Sequence, residues 1–148
     1  MSHSTLIVGS PGDAERIAVV TELKEDEYPH FHCGNLDAGI LGQVFWHGVE
    51  NKEGLDTSFR IEIVHSRSTE TGSVIVHVLP QAVVERYARL TDADINQLAR
   101  GWAEAKDHIR IPRSPEFNGS VMRELTRLAK LARERNQVIL VRTSFRRP

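Results

Sequence analysis

A chain of 148 residues, 40% hydrophobic and 26% charged, has the size and composition of one soluble globular domain able to bury about two-thirds of its unfolded surface. Its single cysteine, Cys33, excludes an internal disulfide framework, and no apolar run approaches the roughly 20 residues that span a bilayer. The formal net charge of -1 conceals a gradient: three Lys/Arg against ten Asp/Glu over 1–57, six against seven over 58–108, and ten against three over 109–148. Such a gradient either closes on itself inside the fold or displays a dipolar surface to a charged partner. With neither a basic lead nor a long apolar stretch at Met1 to Gly9, no signal peptide is expected, and the reducing cytoplasm is the expected compartment.

Thr5 to Val8 is a short apolar run with the dimensions of an edge strand, broken by Gly9, Ser10, Pro11 and Gly12. Asp13 begins a predicted helix reaching about Lys24, with Ile17, Val20 and Leu23 on one face. Glu25, Asp26 and Glu27 then crowd its C-terminal end, where negative charge opposes the helix dipole. Tyr28 to Gly34 reads as a loop. Asn35 or Asp37 opens a second predicted helix, whose apolar face is Leu36, Ile40, Leu41, Val44 and Phe45. Glu50 to Thr57 is a polar turn region.

Phe59, Ile61, Ile63 and His65 alternate with Arg60, Glu62 and Val64, the period-2 pattern of a half-buried strand. Ser66 to Gly72 is a polar link, and Ser73 to Leu79 is a second, valine-rich strand, so the two predict an antiparallel hairpin. The stretch from Pro80 to Asp107 carries the clearest signal in the chain. Val83, Val84, Tyr87 and Leu90 recur at helical spacing. Thr91 can cap a second helix, with Asp92 and Asp94 near its positive end and Ile95, Leu98, Ala99 and Trp102 as its stripe. His108 to Phe117 is irregular and basic. A last helix is expected over about 118–135, with Val121, Leu125, Leu128 and Ala132 inward, Arg123, Arg127 and Lys130 opposite, and Asn136 as its stop. Val138 to Phe145 predicts a final strand.

The expected fold class is therefore α+β over residues 1–148 as one domain. A small, mostly antiparallel sheet (hairpin 58–65/73–79 plus C-terminal strand 138–145) carries about five helices.

The chemistry-bearing residues form several candidate groups. Gly9 to Gly12 lies between a strand and a helix, as a phosphate-cradling loop would, but neither G-x-x-x-x-G-K-[ST] nor G-x-G-x-x-G is present. His30, His32 and Cys33, joined by His47 and His77, offer nitrogen and sulfur ligands of the kind zinc takes three or four at a time; H-x-H-C is not a standard finger pair, and no second cysteine exists. A Cys33–His47 or Cys33–His77 nucleophilic pair would need an electropositive pocket, whereas Cys33 lies beside acidic sequence. Neither G-x-S-x-G nor H-E-x-x-H occurs. Arg123, Arg127 and Lys130, with Arg133, Arg135, Arg142, Arg146 and Arg147, could meet phosphates. The pI of 6.7 and the scarcity of nearby aromatics beyond Phe145 argue against a dedicated nucleic-acid binder.

Leu79-Pro80, the Val83-Val84 helix, Leu90-Thr91-Asp92, Leu98-Ala99 with Trp102-Ala103, Leu125, Leu128-Ala129 and an apolar last strand resemble a diffuse group of small bacterial proteins, some of them immunity-protein-like. The resemblance covers 79–145, and the acidic pair associated with the residues after Trp-Ala is replaced here by Glu104-Ala105-Lys106. It implies no catalytic residue.

The expectation that joins these observations is a non-catalytic, cofactor-free, cytoplasmic protein-binding domain. Its most concrete form is an immunity-type inhibitor whose acidic surface occupies a cognate toxin, with Glu25, Asp26, Glu27, Glu50, Glu53 and Asp56 at the interface. The alternative is a small metal-dependent enzyme or zinc protein using His30, His32, Cys33, His47 and His77. Weak nucleic-acid binding through the basic C-terminal helix is the third reading.

Overall fold

The computed structural model describes residues 2–34, 62–104 and 115–146. These form an α+β structure built on one five-stranded, wholly antiparallel sheet. The strands are β1 (Ser2–Gly9), β2 (His30–His32), β3 (Glu62–Thr69), β4 (Gly72–Val78) and β5 (Val138–Arg146), in spatial order β2-β1-β5-β4-β3. Four α-helices are described rather than about five: α1 (Ala14–Val19), α2 (Gln81–Tyr87), α3 (Asp92–Glu104) and α4 (Pro115–Arg135). The helix expected after Asn35 and the polar turn 50–57 lie outside the described residues. No helix among those described is long and apolar enough to cross a membrane.

β5, last in sequence, is the central strand, paired along its length with β1 on one side and β4 on the other. Its run Ile139-Leu140-Val141 is wholly buried because both faces of the sheet are covered. Successive side chains alternate between the faces. Leu6, Val8, Ile139 and Val141 join the core beneath α2, α3 and α4, which we call the helix face. Ile7, Leu140 and Val76 join Ala14, Ile17 and Tyr28 on the α1 face. The run Leu6-Ile7-Val8 was expected to be an edge strand; it is instead an interior strand buried on both sides, between β2 and β5.

Three further boundaries differ from the sequence expectation. β2 falls within the expected loop 28–34, where alternation is too brief to stand out; Thr5 pairs with His32 and Ile7 with His30. The expected link 66–72 shrinks to the two-residue turn Glu70-Thr71, because β3 continues to Thr69 despite its exposed polar residues. A bulge between Ile63 and His65 turns Val64 onto the α1 face with Val76. Gly72 opens β4 where a Cβ would overlap the Phe145 carbonyl oxygen, so that backbone approach requires glycine. Finally, α1 stops at Val19 rather than near Lys24: Val20 is extended, and Val19 is exposed.

The helical layer follows its sequence closely. Val83, Val84, Tyr87, Leu90, Ile95, Leu98 and Ala99 are buried as their spacing requires. At the start of α3, the Thr91 amide donates to Asp94 Oδ2 at 3.0 Å and the Asp94 amide to Thr91 Oγ1 at 3.2 Å, a reciprocal capping box. α4 packs on α2, α3 and strands β1, β2 and β5, which makes it the helix around which the layer assembles. Asn136 ends it in the left-handed conformation (φ 55°), with the Gln137 amide donating to Ala132 O and the Asn136 amide to Arg133 O. That pair of bonds is a Schellman motif.

Candidate functional site

The acidic triplet does not sit on a helix end. It lies on the connector that leaves α1 at Val20 and reaches the β2 edge of the sheet. The α1 terminus is closed by Arg142 of β5, whose Nη1 donates to Ile17 O at 2.9 Å and Val20 O at 3.1 Å, placing a cation at the carbonyl end of the helix. Burial lowers the pKa of this guanidinium. The connector then folds into a turn in which Lys24 O accepts the amides of Glu27 and Tyr28. Tyr28 and Pro29 are buried and anchor it.

Within that turn Glu25, Asp26 and Glu27 are all exposed, yet two of them are paired. Glu25 Oε1 accepts from Arg127 Nη1 at 2.6 Å, and its Oε2 accepts the His30 amide at 3.2 Å. Arg127 also donates to Glu124 Oε2 at 2.6 Å and to His30 O at 3.2 Å. Burial works to raise the Glu25 pKa, but the hydrogen bonds from Arg127 and His30 outweigh it and hold the carboxyl below its ordinary value. Glu27 pairs with Arg16, whose guanidinium also lies over the Tyr28 ring at 5.7 Å. Asp26 makes a single local bond, accepting the Glu27 amide. Part of the charge gradient therefore closes within the fold, and Asp26 is the carboxylate of the triplet without a cationic partner among the described residues. Glu50, Glu53 and Asp56 lie outside the described residues.

The sheet divides the histidine and cysteine group. His30 and His32, two apart on β2, share the α1 face, with ring centroids 5.2 Å apart. His32 Nδ1 is 2.9 Å from Thr5 Oγ1, and His30 Nδ1 donates to Tyr28 O at 2.8 Å. Cys33 is buried on the opposite face, where burial pushes its thiol up to about 12 against a smaller lowering by the Leu6 backbone. His77 is also on the helix face, in register with Val141 and separated from β2 by two strands. His47 lies outside the described residues. Among those described, no group of three or more His, Cys, Asp or Glu is placed to hold a metal ion.

Three members of the basic group are engaged. Arg127 and Arg142 are committed as above, and Arg123 Nη2 donates to Asn96 Oδ1 at 2.9 Å. At the Gly9 to Gly12 turn the Ser10 amide already donates to Asp13 Oδ2 at 3.1 Å, so a carboxylate of the chain itself occupies the place an anion would take.

One feature carried no linear signal. An open groove of about 450 Å³ lies between the end of α1 and the β4–β5 end of the sheet, lined among others by Val19, Arg67, Thr69, Val74, Ser144 and Arg146. These residues come from four elements: strand register brings those of the sheet together, and α1 packs Val19 beside them. No protein-family model matches the chain, nor does any curated protein or solved structure.

Proposed function

We propose that this chain is a non-catalytic protein-binding domain, most concretely an immunity-type inhibitor that presents the turn Glu25-Asp26-Glu27 to a basic surface of a toxin. The observation that carries the reading is the way the turn is held. Three consecutive exposed carboxylates sit on backbone fixed by the Lys24 carbonyl, by buried Tyr28 and by the Glu25–Arg127 pair. A charged surface already ordered loses little conformational entropy on docking, and its field speeds encounter with a cationic partner. Glu50, Glu53 and Asp56 extend the proposed surface on charge alone.

The test is co-expression with the protein encoded beside this one, using growth and complex formation as readouts. Protection by the native chain, with association slowed several-fold by Asp26→Lys and Glu27→Lys and more strongly at low salt, supports the reading. Association with that partner unchanged by both reversals overturns the acidic interface.

A further inference from the structure

We propose that the groove between α1 and the β4–β5 end of the sheet binds a phosphate monoester carried on a small apolar body. This is a surface separate from the acidic turn, and the inference does not depend on the reading above.

The placement of charge comes from register. Arg67 pairs with Val74 and Val74 with Ser144, while Thr69 pairs with Gly72 and Gly72 with Arg146. Partners across a ladder share a face, as do residues two apart on a strand. Arg67, Thr69, Val74, Ser144 and Arg146 therefore all belong to the α1 face. β3 and β5 flank β4 and the two positions are offset by two residues along the strands, so Arg67 and Arg146 start roughly 12 Å apart, a gap that two guanidinium arms can close around one anion.

The groove is chemically one-sided. No carboxylate lines it; Glu70 at the hairpin tip and Glu22 after Thr21 are adjacent in sequence and outside its lining. Neither Arg67 nor Arg146 forms an ion pair with a described residue, in contrast to Arg16 and Arg127. Both are exposed. The Ser144 hydroxyl has no hydrogen-bond partner among the described residues, whereas Thr69 Oγ1 is spent on Gly72 O at 3.2 Å.

Two cations and a free hydroxyl suit a dianionic oxyanion, whose several acceptors can take donors from separate directions. The apolar part comes from Val19, 49% exposed at the end of α1, and from Val74 on the α1 face of β4, both of which line this groove. A volume of about 450 Å³ accommodates a small organic ligand.

The experiment is an amide NMR titration of the full chain at low salt with phenyl phosphate, and in parallel with inorganic phosphate and benzoate. Saturable shifts confined to 67–74, 144–146 and the end of α1 are expected, with phenyl phosphate binding more tightly than either comparison. Arg67→Gln and Arg146→Gln should each weaken it about tenfold, the scale of one charge-assisted hydrogen bond, with spectra otherwise unchanged because both side chains are exposed. No saturable shift at these positions, or a titration indifferent to both substitutions, overturns the site. Inorganic phosphate binding equally well overturns the apolar body, and benzoate binding equally well overturns the dianion.

Discussion

Glu25 and Arg127, separated by 102 positions in the chain, meet in a hydrogen-bonded ion pair of 2.6 Å. One belongs to the acidic front of the sequence and the other to its basic back, and together they fasten the α1 connector to α4 at the β2 edge. The pair is half-exposed, so its worth is modest. A double-mutant cycle with Glu25→Gln and Arg127→Met, followed by urea denaturation, should return a coupling of roughly 0.5–1 kcal/mol that shrinks as salt is added. Zero coupling at low salt would show that the two charges make no net contribution to stability.

A second pair is buried. Ser4 Oγ and Thr143 Oγ1 lie 3.0 Å apart on opposing positions of β1 and β5, in the helix-face interior. Thr143→Val keeps the shape but strands the Ser4 hydroxyl, and should cost about 1–3 kcal/mol. Ser4→Ala with Thr143→Val removes both polar groups and should recover much of that loss. A double variant no more stable than the single one would refute the account.

The Schellman turn at Asn136 gives a prediction of opposite sign. Its φ of 55° is adopted by glycine with less strain than by any residue bearing a Cβ. Asn136→Gly should hold or raise the thermal midpoint, whereas Asn136→Val should lower stability by about 1–2 kcal/mol.

Histidine titration should make the fold acid-sensitive. Burial lowers the pKa of His77 below its ordinary 6.5, and burial together with His30 and Arg142 lowers that of His32. In the window below 6.5 the unfolded chain binds protons that the native histidines refuse, so stability falls as pH falls and is regained as pH rises. Denaturation midpoints measured across that window should show the slope, and His77→Gln should flatten it. Glu25, held low by its partners, adds a further loss below its ordinary 4.5, which Arg127→Met should diminish.

Cys33 should be inert while the protein is folded. Its burial and its thiol pKa of about 12 leave almost no thiolate at neutral pH. Ellman's reagent should label it only at the rate at which the structure opens. Rapid labelling of the native protein would mean that the β2 edge opens freely.

The helical part of the fold was legible in the sequence because its determinants are local. The stripe Val83, Val84, Tyr87 and the cap at Thr91 are set within a turn or two of chain, as is the stop at Asn136. The α+β class and the pairing of the last strand with the hairpin followed from the same periodicities. The acidic turn was visible as composition, but not its internal pairing, since Arg127 comes from a distant helix. β2, the continuation of β3 to Thr69 and the early end of α1 were misjudged because their backbone is held by other strands and by Arg142.

What the amino-acid order determined by itself was therefore the helices α2, α3 and α4 with their caps and apolar faces, and the valine-rich strands β4 and β5. Only the tertiary structure decided that the last strand lies at the centre of the sheet, that His32 and Cys33 face opposite sides, and that Arg67 and Arg146 flank one groove. Those outcomes depend on hydrogen-bonded register between strands far apart in the chain, where a shift of one residue would send every side chain to the other face.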